Sequence, residues 1–180
     1  MVFIVKPIQN HNFVWLYKEE KMKAPKTPRR RSREFAVQGI YRMLLNPDES
    51  MNNIIKEIRQ TEPYDTALNG KKKPQVDDAF FAQILTGIAA NKMHYADLLR
   101  PLLDRDESEV SPIEYAILFV ACHELAQMPE TPYPVIINEA VEICKAYGGT
   151  EGYKFINGIL DKLAQKLRPN DPVRPTKATA

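Results

Sequence analysis

Apolar residues recur at helical spacing along almost the whole chain, and no segment alternates as a half-buried strand would. This pattern predicts an all-α fold, a single-domain bundle of six or seven helices. A helix from about Thr27 to Leu45 has Thr27 as its N-cap. Pro28 takes the first helical position, where a missing N–H costs nothing. Ala36, Val37, Ile40, Met43 and Leu44 form its apolar stripe, and Asn46-Pro47 ends it. A second helix covers about Asp48 to Arg59. The stretch from Thr61 to Pro74, with Pro63, Asn69-Gly70 and three lysines, reads as a long polar loop. A third helix begins near Val76, and its pattern continues to Leu103. Ser111-Pro112-Ile113-Glu114 is a capping box, and the segment it opens is apolar nearly all round as far as Leu125. That segment is expected to be the buried central helix. The last two helices run from Pro134 to Tyr147, closed by Gly148-Gly149 as a left-handed cap, and from Thr150 to Leu167. The organisation expected is an N-terminal extension over 1–26, a helical domain over 27–168 and a disordered tail over 169–180.

Several function classes are disfavoured. No run of 18 apolar residues occurs, so no spanning helix is expected. Met1–Val5 is too short for a secretory segment. Cys122 and Cys144 form no CxxC, which leaves the cytoplasm as the default compartment. Cys122-His123-Glu124 looks reactive, but adjacent helical residues point about 100° apart and cannot form a relay among themselves. Cys122 is read as a core filler and His123 as a surface or edge residue. No metal-ligand spacing, phosphate-binding glycine loop or nucleophile elbow is present. No catalytic residue, metal or cofactor is expected, and the chain does not read as an enzyme.

Charge is informative through its placement. The net +2 divides into +7 over residues 1–33 and −5 over residues 34–180. Arg29, Arg30, Arg31 and Arg33 open the first helix, and such clusters attract phosphates. With the stripe centred near Ile40, Arg31, Phe35, Gln38 and Arg42 are expected on the solvent side, while Arg29 and Arg33 fall on the core side and must overhang the end of the core unless the helix starts later. Two guanidinium groups, an amide and a ring on one face suit unstacked single-stranded RNA. A solvated basic arm is the alternative. Phe155 is expected at the edge of the last helix's stripe, beside Lys154, Lys162 and the side-chain-free Gly158, as a second stacking platform.

Three separated motifs carry a family resemblance. Arg29-Arg30-Arg31-Ser32-Arg33-Glu34-Phe35-Ala36-Val37-Gln38-Gly39-Ile40-Tyr41 resembles the arginine-rich opening of the NusB family. Pro134-Val135-Ile136-Ile137-Asn138-Glu139-Ala140-Val141-Glu142 and Lys154-Phe155-Ile156-Asn157-Gly158-Ile159-Leu160-Asp161 resemble two of its later segments. The resemblance spans about residues 22–169. It implies a cytoplasmic antitermination factor that binds boxA RNA in ribosomal RNA leaders together with the ribosomal protein NusE. It further implies assembly with NusA, NusG and RNA polymerase, suppression of Rho-dependent termination, and a homodimer in some free members. It also implies RNA contacts by the four arginines and by Lys154 and Phe155. A NusE surface including Tyr41 and Glu114 is implied, with Glu151 influencing assembly. The capping role explains Glu114 equally well, and a partly buried core position explains Tyr41. The 21 residues before Met22 exceed the family's usual start, so Met22 is the expected native start. If the extension is real, its aromatics could cover the RNA face. Two alternatives stay open: a helical protein–protein adaptor, and a stand-alone domain assisting ribosomal RNA modification.

Overall fold

The computed structural model describes residues 26–69 and 75–171. Among these, seven α-helices and two 3-10 turns form the structure, with no strand. The helices are α1 (Pro28–Leu45), α2 (Met51–Arg59), α3 (Glu62–Leu68), α4 (Asp78–Leu99), α5 (Pro112–Gln127), α6 (Tyr133–Tyr147) and α7 (Gly152–Leu167). The 3-10 turns, Arg100–Leu102 and Glu107–Glu109, connect α4 to α5.

Side-chain caps set most of the starts. Thr27 accepts from the Arg30 amide, Ser50 from Asn53, Asp77 from Phe80 and Ser111 from Glu114. Each satisfies one of the amides left over in a first helical turn. These caps move the second and third helices inward from the expected starts, to Met51 and Asp78.

α5 is the central element. Every residue from Glu114 to Leu125 is buried, and α1, α4, α6 and α7 pack around it. A helix enclosed on all sides has no polar face to keep, which is why its sequence is apolar nearly all round. α2 packs against both α1 and α4, and α3 lies beside α2.

Three expectations are corrected. The supposed polar loop after Thr61 contains α3, whose Tyr64 is fully buried between the Phe35 and Phe81 rings, at centroid distances of 4.8 and 5.1 Å. Seven residues holding Pro63 and few apolar positions give too short a period to read as a helix. The left-handed residue between α6 and α7 is Glu151, with φ of 67°, whereas Gly148 is extended. His123 is buried at 3% exposure and shares a 2.9 Å hydrogen bond with the Tyr95 hydroxyl. Cys122, by contrast, fills the core as expected.

The C-terminal end of α5 is held by a distant residue. Arg168, just past α7, donates to the carbonyls of Glu124, Leu125, Met128 and Thr131 at 2.7–2.8 Å. It supplies a donor to Leu125, whose helical partner position is Pro129 and has no N–H, and to Thr131, and it adds a second donor to Glu124 and Met128, whose carbonyls already accept the Met128 and Thr131 amides. Residues 1–25, with the aromatics of the expected extension, and 172–180 of the expected tail lie outside the described residues.

Candidate RNA and partner interface

The arginine-rich start of α1 does not present its charges equally. Arg33 turns inward at 4% exposure. Its Nε and one terminal nitrogen donate to the two carboxylate oxygens of Glu124, at 2.8 and 2.7 Å. A charge this deep is tolerable only with such two-pronged pairing. Arg30 donates to Glu34 at 3.1 Å, and to the Glu139 carboxylate and carbonyl on α6 at 3.2 and 3.4 Å. Arg29 is half-exposed, lies over the Phe80 ring and approaches Asp77 at 3.7 Å. Arg31 differs from the other three. Its Nε is buried without a hydrogen-bond partner, and none of the ion pairs among the described residues involves it.

The exposed face of α1 is rotated from the expected one. Helices α2, α3, α4 and α5 bury Ser32, Arg33, Phe35, Ala36, Val37, Gly39, Ile40 and Met43. Arg30, Arg31, Gln38, Tyr41 and Arg42 remain partly accessible, and Leu45 is exposed. Phe35, expected on the solvent side, is 3% exposed against Tyr64 and cannot stack a base. Arg42 is clamped by two carboxylates, donating to Glu49 at 2.6 Å from Nε and pairing with Glu57 at 2.7 Å. It is committed to closing the α1–α2 corner. Arg31 and Gln38 are thus the members of the expected face that stay both accessible and outside this ion-pair network.

The second candidate patch lies at the start of α7. Lys154 is exposed and pairs with Glu151. Tyr153 receives the Lys145 and Lys154 ammonium groups at 5.4 and 5.9 Å from its ring centre. Phe155 is half-buried against the core, and the guanidinium of Arg105 lies 4.5 Å above its ring. Lys162 is exposed, and beside Gly158 the space is open. Sequence reasoning did not single out Arg105 or Lys145. Arg105 sits in an acidic turn with no period of its own, so only the folded contact reveals it.

The expected partner residues are separately placed. Tyr41 is half-buried on the α1 flank. Glu151 is exposed at the α6–α7 corner. Glu114 is 8% exposed, and its carboxylate lies so close to Gly152 that a Cβ there would meet Oε1 at 2.1 Å. Ser111 caps the Glu114 amide as expected, but the carboxylate is directed at the start of α7. Burial and the Glu114 charge push the Cys144 thiol up to about 12, and burial alone does the same to Cys122. Both stay as thiols at neutral pH.

Among the described residues, no group of three or more His, Cys, Asp or Glu side chains could hold a metal ion. No helix among them is long and apolar enough to cross a membrane. The fold and its two cationic patches define the class as a helical binding protein whose arginines are divided between architecture and surface.

Comparison with known proteins gives the family. The NusB family model matches residues 30–165, and the chain belongs to the NusB family. A transcription antitermination protein NusB from Neisseria gonorrhoeae is 50% identical over 149 residues, covering 83% of this chain and 99% of its own length. One from Laribacter hongkongensis is 43% identical, covering 81% and 82%. The structure of T. maritima NusB aligns at a TM-score of 0.66 and 32% identity, over 78% of this chain and 93% of that one. One chain of a crystal structure of antitermination factors NusB and NusE in complex with dsRNA shares the fold at a TM-score of 0.64 and 18% identity, over 76% of this chain and 96% of that one. The role carried by this family is regulatory, transcription antitermination, and not catalytic.

Proposed function

We propose that the helical domain, residues 27–168, binds the boxA element of nascent ribosomal RNA together with the ribosomal protein NusE. In the cytoplasm, with NusA, NusG and RNA polymerase, it would suppress premature, Rho-dependent termination. The observation that carries this reading is the isolation of Arg31. Arg29, Arg30 and Arg33 each face a carboxylate, whereas Arg31 keeps a partly accessible guanidinium with an unused buried donor. A guanidinium that no carboxylate among the described residues engages is available to pair with a phosphate, whose oxygens match its fork of donors.

Gln38 on the same face, and Lys154, Phe155 and Lys162 on the second patch, complete the RNA-facing set. Arg29 and Arg30 contribute from the rim. Arg33, Phe35 and Arg42 act by holding α1 in place. Tyr41 and Glu151 are assigned to the partner surface, and Glu114 acts on that surface through the start of α7. A free homodimer is compatible with this arrangement.

The body net of −5 over residues 34–180 opposes a polyanion, and a basic partner adds positive field. Binding to boxA RNA is therefore expected to be weak alone and clearly tighter with NusE. A gel shift with and without NusE tests this. Equal affinity for boxA and scrambled RNA would overturn specific recognition.

A further inference from the structure

Arg105 lies outside every motif considered above, and its contact with Phe155 deepens the RNA reading on which it rests. Phe155 is half-buried, with one side of its ring set against the core. Over the ring sits the Arg105 guanidinium, 4.5 Å from the centroid. Arg105 comes from the turn between the two 3-10 segments, about fifty residues earlier in the chain. Its side chain keeps 41% exposure.

The orientation is held from the side. Arg105 Nε donates to Asp104 Oδ1 at 2.8 Å. Hydrogen bonds from a guanidinium lie in its plane, so this one leaves both flat faces free. Phe155 lies under the guanidinium at 4.5 Å, and the 41% exposure of the side chain keeps the group open to solvent.

The electrostatics of the turn favour stacking over phosphate pairing. Asp104, Glu109 and Glu114 all act on Arg105. A phosphate brought to this guanidinium would meet the Asp104 carboxylate, already bonded to it at 2.8 Å, and the negative field of the other two. The face of an unpaired base carries no such charge, and bases stack readily on guanidinium planes. Lys162 acts on Asp104 from the α7 side, so a cation for the adjoining phosphate is at hand.

The geometry points to Arg105 as a further RNA-contacting residue, whose guanidinium, backed by Phe155, forms the outer layer of a base–arginine–phenylalanine stack. Phe155 then contributes as the support of that platform rather than by touching the base itself.

The test compares wild type, Arg105→Ala, Arg105→Lys and Phe155→Leu of the full chain. Each is titrated, with NusE present, against a short boxA-containing single-stranded RNA and against an abasic strand of the same length. Arg105→Ala is expected to lose about five- to tenfold in affinity for the RNA, in line with one stacked base. It should lose nothing for the abasic strand. Arg105→Lys, which keeps the charge but not the plane, should lose as much. Arg105→Ala and Phe155→Leu together should lose little more than either alone. Arg105 is exposed, so an unchanged thermal melt separates binding from folding. Tighter binding by Arg105→Ala would make Arg105 a lid over Phe155 and overturn the proposal. So would full rescue by lysine, an equal loss on the abasic strand, or no effect while the wild type binds. A wild type that binds no RNA with NusE present would instead overturn the functional reading itself, and the proposal with it.

Discussion

Arg33 on α1 and Glu124 on α5 meet through two parallel hydrogen bonds of 2.8 and 2.7 Å, with side chains 5% and 1% exposed. The pair locks the arginine-rich helix to the central one. Burial pushes the Glu124 carboxyl up, and the Arg33 guanidinium opposes that shift. Removing Arg33 alone would leave a buried, uncompensated carboxylate. Arg33→Ala is expected to cost about 3–5 kcal/mol in a denaturant titration. Arg33→Met combined with Glu124→Leu should recover most of that loss, because neither charge remains. Loss of RNA binding by Arg33→Ala in protein that is still as stable as wild type would contradict this structural role.

Arg31 and Phe35 are expected to separate binding from folding. Arg31→Ala should leave stability nearly unchanged and weaken RNA binding. It should also reduce the slope of log affinity against log salt by about 0.7, the value for one phosphate contact on a single strand. Phe35→Ala should cost about 3–5 kcal/mol of stability, since its ring fills the space beside Tyr64. Salt titrations of both variants at a temperature where both are folded check the distinction.

His123 makes stability depend on pH. Burial lowers its pKa to about 4 from an ordinary 6.5, so the folded protein holds it neutral. The unfolded chain binds the proton first, between those two values. Stability is therefore complete above about 6.5 and falls as the pH drops toward 4, by roughly 1–3 kcal/mol from this residue. Urea titrations across that window should show a flatter profile for His123→Gln than for wild type. An unchanged slope would rule out His123 as the source.

Gly152 gives the Glu114 carboxylate its place. A Cβ at residue 152 would stand 2.1 Å from Glu114 Oε1 and 3.2 Å from Cys144 Sγ. Gly152→Ala is expected to destabilise by about 1–3 kcal/mol, as overpacking does. Adding Glu114→Ala should relieve most of the strain. A double-mutant cycle measured by thermal unfolding would show this as a large coupling; simple additivity would count against the contact.

Arg168 provides a fourth test of architecture. Its guanidinium serves four carbonyls at the end of α5 and in the turn that follows. Arg168→Ala should cost roughly 2–4 kcal/mol, because buried carbonyls lose donors. Arg168→Lys should restore only part, since one ammonium cannot span the same positions. Hydrogen exchange should rise first at the C-terminal end of α5.

Much of the fold could be read from local pattern. Caps at Thr27 and Ser111, prolines at helix starts and an all-round apolar α5 are signals contained within a few turns. The short α3 was not legible. A wheel centred near Ile40 puts Phe35 on the solvent side, because the stripe of α1 by itself does not show that a further helix covers that flank. The structure places Tyr64 of α3 against it.

The sequence by itself determined the helical class, the central element and the two cationic segments, because helix periodicity and capping act between near neighbours. It also determined the family, through motifs read in order. Only the tertiary structure decided which arginines are available. Arg33 meets a carboxylate 91 residues away, and Arg30 one 109 residues away. Helical spacing could turn Arg33 toward the core, but whether a guanidinium is spent on the fold or kept for a ligand depends on the distant partner that folding brings to it.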